Sequence, residues 1–229
     1  MRKLKGFTLA EVLISLALIG VIASLTLPNL SANTQKQQVG PSLGKAMSTL
    51  ESANKMILQD SGARHLETAC KADYLLCLSK YANGSLERLK TPVTYKNFNS
   101  AATFQTITIA RPVFKAKDGI TYLQPVPNVT AVASILSPNG KYYGKYYQVL
   151  VDINGVNKGP NVAGKDFFGF AVDTGGTVIP YGGVEYASYE NPGTVISKDN
   201  IKTCIKNLVS SPLSCTGKIF DDGMKVTYY

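Results

Sequence analysis

The sequence is poor in the residues that most enzymes use. Among its 229 residues there is one histidine, His65, and a lone histidine is more often structural or solvent-exposed than catalytic. The sequence contains no nucleophile motif, no phosphate-binding loop and no paired acidic site. The shortage of histidine also makes zinc a weak alternative, because zinc sites combine closely spaced cysteines or add histidines. An enzyme is therefore the least expected class of function.

The sequence also lacks a dense block of basic residues, an internal repeat and a low-complexity stretch. It has 24 Lys and Arg against 15 Asp and Glu, which gives a formal net charge of +9. Spread along the chain, this charge supports only weak, salt-sensitive attraction to nucleic acid or anionic surfaces. Solubility is its more usual role. Nucleic acid is therefore an unexpected partner, while a hydrophobic content of 45% is sufficient for a sizeable core.

The N-terminal segment combines a short basic leader, residues 1–6, with an apolar run from Val12 to Leu27 that follows Glu11. From residue 7 to residue 27 a helix is about 32 Å long at ~1.5 Å per residue, which matches the ~30 Å hydrocarbon core of a membrane. A secretory signal is cleaved after its apolar region, whereas here the boundary precedes that region. The basic leader predicts a cytoplasmic N-terminus, with the rest of the chain across the membrane.

These residues, KGFTLAEVLISLALIGVIASLTLP, resemble the N-terminus of type IV pilin-like proteins, which include pilins and the pseudopilins of type II secretion. The resemblance implies that a prepilin peptidase cuts between Gly6 and Phe7 and methylates the new amino terminus of Phe7. It also implies that Glu11 meets the Phe7 amine of a neighbouring subunit during assembly. Such an ion pair in a low-dielectric filament core selects one register, because a slipped neighbour leaves Glu11 unpaired.

The helix is predicted to continue beyond the membrane segment. Pro28 should kink or locally open it, because proline lacks an amide donor. Gly40 and Pro41 either bend the helix or restart it, and the sequence leaves both alternatives open. Apolar residues then recur at three- or four-residue spacing, which predicts one buried helical face packed on a sheet. These residues are Leu43, Met47, Leu50, Ala53 and Ile57.

The middle of the chain predicts an antiparallel sheet. Short β-branched or aromatic runs alternate with turn signals at 117–119, 138–141 and 174–176. The runs are at 104–114, 119–126, 131–136, 146–153, 167–173 and 177–180. The expected fold is α+β, with a long N-terminal helix, membrane-spanning in its first half, packed on this sheet. The expected domains are a leader (1–6), a transmembrane and assembly helix (7–28), its continuation (29–60) and a globular head (61–229).

The tyrosines of the predicted sheet offer a second interpretation. Tyr142, Tyr143, Tyr146 and Tyr147 could contribute to a ligand surface, but aromatic residues in strands more often pack in the sheet. After the sheet, the segment from Lys198 to Leu208 predicts a short helix.

Four cysteines form two sequence-local pairs, which suits disulfides in an oxidising compartment. They are Cys70, Cys77, Cys204 and Cys215. A continuous helix would separate the Cα atoms of Cys70 and Cys77 by about 10.5 Å, whereas a disulfide requires less than ~7 Å. Either the helix breaks between them or they pair elsewhere, since four cysteines permit three connectivities. We favour Cys70 with Cys77, and a pairing of Cys204 with Cys215 would pin the C-terminal tail.

A loop rich in glycine, asparagine and aspartate lies between two predicted strands. It does not fit the EF-hand pattern, because Asn157 replaces the glycine and Ala163 the final glutamate. The loop resembles a DxNGxxxGPNxxGxDxF stretch of pseudopilin-like proteins, some of which bind calcium near the C-terminal sheet. Lys158 and Lys165 weaken the case for a cation, and such residues also make turns. The oxygen ligands available are Asp152, Asn154, Asn157, Asn161 and Asp166, with Asp152, Asn154 and Asp166 the calcium candidates.

The sequence therefore predicts a structural subunit of a type IV pilus or type II secretion pseudopilus, major or minor, polymerised through its N-terminal helix. The alternative is a membrane-tethered binding module whose head contacts DNA, a secreted substrate or a surface. Expected partners are other pilin-like subunits, a prepilin peptidase, the inner membrane and the assembly platform. The precursor is expected to cross the inner membrane once with its head outside the cytoplasm, and then to enter a periplasmic or extracellular filament.

Overall fold

The computed structural model describes most of the chain. The described residues are 8–71, 73–98, 103–107, 112–124, 130–131, 145–182, 186–187, 195–196, 204–205, 208–209 and 212–229. The predicted features at Gly6, Phe7, Tyr142, Tyr143 and the turn at 138–141 lie outside them. The chain divides into two compact units, of which the first ends at Gln38 and the second extends from Val39 to Tyr229.

One long helix, α1 (Leu9–Ser61), contributes to both units. It is continuous through Pro28 and Pro41, so neither proline opens or ends it, and the alternative of a restart at Pro41 is wrong. Val39 and Leu43, on either side of Pro41, are both buried, and this packing holds the helix where proline removes a hydrogen bond. In the part of the chain that the structure describes, no helix is both long and apolar enough to span a membrane.

Two short helices, α2 (Leu66–Cys70) and α3 (Tyr74–Tyr81), follow α1. Lys71 ends α2 with a φ of 55°, and the Asp73 side chain begins α3 by accepting a hydrogen bond from the Leu76 amide at 2.9 Å. This break brings the Cα atoms of Cys70 and Cys77 to 5.3 Å, and the two cysteines form a disulfide.

The head contains a mainly antiparallel arrangement of thirteen described strands, as the α+β prediction requires. The principal sheet has the order β1-β4-β5-β7-β8-β9, with β6 also paired to β7. Three further ribbons pair β2 with β3, β10 with β11 and β12 with β13. The strands are β1 (Gly84–Arg88), β2 (Val93–Lys96), β3 (Thr103–Ile107), β4 (Pro112–Ala116), β5 (Thr121–Leu123), β6 (Thr130–Ala131), β7 (Lys145–Asp152), β8 (Phe167–Asp173), β9 (Val178–Pro180), β10 (Tyr186–Ala187), β11 (Val195–Ile196), β12 (Cys204–Ile205) and β13 (Leu208–Val209).

The prediction of a helix over Lys198–Leu208 is wrong for residues 204–205 and 208, the part of that segment that the structure describes. Cys204 and Ile205 form β12, which pairs with β13 in the register Cys204 with Val209 and Ile205 with Leu208. Strand pairing here overrides the local helical pattern. Cys204 is further fixed by a disulfide to Cys215, across a Cα separation of 5.1 Å.

The second half of α1 packs on one face of the principal sheet, as predicted. Leu43, Leu50, Ala53 and Ile57 are buried, whereas Met47 is partly buried. Alternate residues of the two central strands complete this core. They are Tyr147, Val149 and Val151 of β7 and Phe168, Phe170 and Val172 of β8.

The opposite face of the sheet carries a second core, which includes Tyr95, Leu150, Phe167 and Tyr181. Tyr146 and Tyr147 lie on different faces, and both are buried. These two tyrosines therefore pack in the sheet, as we predicted, and do not form an exposed ligand surface.

The C-terminal segment lies against α1 within the second unit. It contains a 3-10 turn (Pro212–Ser214) and the helix α4 (Cys215–Asp221). A Cβ atom added to Gly40 would overlap the backbone carbonyl of Met224, whereas one added to Gly44 would meet only the Met224 side-chain tip at 3.3 Å. The close approach at Gly40 therefore requires glycine.

This pair of glycines gives a matched test of the packing. We expect Gly40→Ala to destabilise the head by about 2 kcal/mol, because backbone atoms must move to remove the overlap. We expect Gly44→Ala to be neutral or slightly stabilising, because alanine favours the helix by about 1 kcal/mol and the methionine tip can shift. Chemical unfolding of the two variants measures the difference, and equal stability would contradict the described contact.

Candidate functional site

The first unit places Glu11 at the start of α1, next to Thr8. The Glu11 Oε2 atom accepts hydrogen bonds from the Thr8 amide at 2.9 Å and from the Thr8 hydroxyl at 2.8 Å. In return, the Thr8 hydroxyl accepts from the Glu11 amide at 3.3 Å. This is a capping box, in which two side chains satisfy amides that the first helical turn leaves unpaired. Sequence reasoning identified Glu11 but missed Thr8, although the Thr-x-x-Glu spacing signals this motif.

The residues that follow Glu11 are apolar and exposed. The exposed fractions of their large side chains lie between 45% and 62%, and consecutive positions such as Val12, Leu13 and Ile14 point to different sides of the helix. An apolar surface of this kind marks a site of contact with other proteins or with lipid. The exposed residues are Val12, Leu13, Ile14, Leu16, Leu18, Ile19, Val21 and Ile22, and Leu9 just before Glu11 is also exposed.

Residues 1–27 match the family model of the prokaryotic N-terminal methylation motif. That motif is the hallmark of type IV pilin and pseudopilin precursors. The chain has the N-terminus of a type IV pilin-like precursor. No curated protein and no solved structure matches the chain. Gly6 and Phe7 lie within the matched residues, although outside the part that the structure describes.

The loop between β7 and β8 is closed by two buried carboxylates. Asp152 Oδ1 accepts hydrogen bonds from the amides of Asn154 at 3.2 Å and Gly155 at 2.7 Å, and its Oδ2 accepts one from the Tyr95 hydroxyl at 2.7 Å. Gly155 has a φ of 92°, and a Cβ atom there would lie 3.0 Å from the Gly119 carbonyl oxygen. Glycine therefore allows this loop to pack against the turn between β4 and β5.

Asp166 holds the far end of the same loop. Its Oδ1 accepts from the Val162 amide and its Oδ2 from the Asn161 amide, both at 2.7 Å. The Ile153 amide also donates to the Asp166 backbone carbonyl at 2.9 Å. The two ends of the loop are thus connected, and backbone donors occupy both carboxylates.

The three candidate calcium ligands, Asp152, Asn154 and Asp166, are therefore neighbours in the fold. Among the described residues, however, no group of three or more His, Cys, Asp or Glu side chains could hold a metal ion. Each carboxylate oxygen already accepts a hydrogen bond, so a calcium ion would compete with donors that shape the loop. Calcium binding at these residues stays a prediction. The exposed Asn157 lines a neighbouring cavity.

The two carboxylates have raised pKa values. Burial is the main reason that the pKa of the Asp152 carboxyl rises from 3.8 to about 7; the hydrogen bond from Tyr95 opposes the rise, and the charge of Asp166 adds to it. Burial also raises the pKa of Asp166, against the hydrogen bonds from Val162 and Asn161. The folded chain therefore retains protons here at pH values where the unfolded chain has lost them.

This difference predicts a pH-dependent stability. Because the folded state binds the Asp152 proton more tightly, protonation of Asp152 adds to the free energy of unfolding at acidic pH. This contribution is lost as the pH rises from 3.8 through about 7. Asp152→Asn removes this titration, while the amide oxygen can still accept from the Asn154 and Gly155 amides. We therefore expect the melting temperature of the variant to fall less than that of the wild type between about pH 5 and about pH 8. An equal fall in both proteins would show that Asp152 does not titrate in this range.

Beside this loop lies a cavity of about 340 Å³. It is bounded by the turn after β1, by residues of β4 and β5, and by the loop residues 154–158. Sequence reasoning missed it, because the segments that form it are distant along the chain. Its basic side chains are Arg88, Lys90, Lys115 and Lys158.

Proposed function

We propose that the chain is a structural subunit of a type IV pilus or of a type II secretion pseudopilus. In this proposal a prepilin peptidase cleaves after Gly6 and methylates Phe7, and the subunit then polymerises through its N-terminal helix. The observation that carries the proposal is the methylation motif at residues 1–27. The arrangement of Glu11 at the head of an exposed apolar helix supports it.

Glu11 is proposed to set the register between subunits. Both hydrogen bonds from Thr8 end on Oε2, so Oε1 faces no donor among the described residues and can receive the Phe7 amine of a neighbour. Surrounded by apolar side chains of adjacent helices, an unpaired carboxylate would be strongly unfavourable. Apolar contacts therefore supply the attraction between helices, and the ion pair selects one alignment.

The same helix is proposed to anchor the precursor in the inner membrane before assembly, with the head outside the cytoplasm. This step rests on the sequence of residues 7–27, whose length and apolar content suit one crossing, and on the basic leader. The two disulfides, Cys70–Cys77 and Cys204–Cys215, suit an oxidising compartment. The assembly platform would then transfer the processed subunit into a periplasmic or extracellular filament.

Three variants separate the charge of Glu11 from its capping role. Glu11→Ala removes both, Glu11→Gln keeps an oxygen for Thr8 but no charge, and Thr8→Val removes the cap but keeps the charge. In cells that make no wild-type copy, we expect both Glu11 variants to be processed yet to form no filaments. We expect Thr8→Val to assemble at a reduced level, since a cap contributes only about 1 kcal/mol.

Processing is measured by the size of the chain and by detection of N-methylphenylalanine at position 7. Assembly is measured by mass spectrometry and immunogold labelling of sheared filaments, which also distinguish a pilus from a pseudopilus. Normal filaments with Glu11→Ala would show that the proposed ion pair is not needed. Normal filaments with Glu11→Gln alone would show that capping matters and the charge does not.

A further inference from the structure

The cavity beside the β7–β8 loop has an excess of positive charge. Of the described residues that line it, four are basic and one, Glu87, is acidic. Glu87 Oε1 lies 3.7 Å from Lys115 Nζ, and each side chain is 47% exposed, so this ion pair is weak. Among the described residues, no carboxylate lies within ion-pair distance of Arg88, Lys90 or Lys158. Among the described residues, these three cations therefore line the cavity without a paired carboxylate.

The cavity floor is apolar. Val113 and Val156 are 3% and 7% exposed, and Leu89 is partly buried beside them. Thr91 and Asn157 also line the cavity, and both are residue types whose side chains form hydrogen bonds. A ligand that matches this surface carries anionic groups on short aliphatic stems, because the stems can cover the valines while the charges meet the cations.

The lining also argues against nucleic acid. It contains no aromatic ring among its described residues, and single-stranded nucleic acids are held largely by stacking on aromatic side chains. A volume of about 340 Å³ accommodates a few amino-acid side chains, but it is too narrow for a duplex. Carboxylate side chains of a peptide fit both its size and its mixed surface.

We propose that this cavity binds an acidic peptide segment of a partner protein. Arg88 from β1 and Lys158 from the β7–β8 loop hold the carboxylates of Asp or Glu side chains, whose methylene groups lie on Val113 and Val156. The loop wall is fixed in advance, since Asp152 accepts hydrogen bonds from Asn154 and Gly155, which reduces the entropy lost on binding. This recognition role lies in the head and is separate from assembly through α1.

The test uses the full-length chain in detergent and a fluorescein-labelled hexaglutamate peptide, with binding followed by fluorescence anisotropy. We expect saturable binding that weakens as salt is added, because the cations are exposed. Arg88→Gln and Lys158→Gln should each weaken binding about threefold, and Glu87→Gln should strengthen it about twofold, as expected for exposed charge pairs. Lys55→Gln and Lys80→Gln remove the same charge elsewhere on the surface and should change the affinity much less.

Three results would overturn the proposal. The first is no binding of hexaglutamate, and the second is an equal loss of affinity in the Lys55 and Lys80 controls, which would mean attraction to net charge alone. The third is binding of tripolyphosphate or a single-stranded oligonucleotide as tight as that of the peptide, which would assign the cavity to phosphate. Filament assembly is scored separately with the Glu11 variants, so a failure here leaves the filament proposal standing.

Discussion

The head depends on the packing of one helical face against two central strands. Leu43, Leu50 and Ile57 of α1 are almost completely buried, and each such side chain contributes about 2 kcal/mol by leaving water. β7 and β8 present alternate residues to this face and the remaining ones to a second core. Because every other strand of the principal sheet joins this pair directly or through a neighbour, the position of α1 determines where the β7–β8 loop and its cavity lie.

Much of this arrangement could be predicted from local patterns. The spacing from Leu43 to Ile57 predicted the buried helical face, and the β-branched and aromatic runs at 146–153 and 167–173 predicted two strands. Features set by distant residues could not be predicted. In place of the helix expected at Lys198–Leu208, the described residues form paired strands, because Cys204 pairs with Val209 across the ribbon and forms a disulfide with Cys215. Likewise, Arg88 and Lys158 are far apart in the sequence, and they line the same cavity because the sheet brings β1 and the β7–β8 loop together.

At the candidate assembly site, too, the sequence predicted one part of the role of Glu11 and only the structure showed the other. The order of charged and apolar residues around Glu11 was sufficient to suggest the family, because a motif is local by definition. The reciprocal hydrogen bonds with Thr8 add a physical role that the resemblance did not include. Glu11 stabilises the start of its own helix through Oε2, and the proposed ion pair with a second chain would use Oε1. A single side chain can therefore serve both the subunit and its contacts.

The close approach of Gly40 to Met224 has a consequence for the order in which the head folds. Residues near the two ends of the head must meet, and Tyr228 adds a hydrogen bond to the Gly164 carbonyl at 2.5 Å. Contacts between residues so far apart in sequence form late and slow folding. Because synthesis starts at the N-terminus, α1 is made first, and its inner face is fully covered only when the last residues have been added. Until then its apolar residues are available to chaperones, proteases or aggregation.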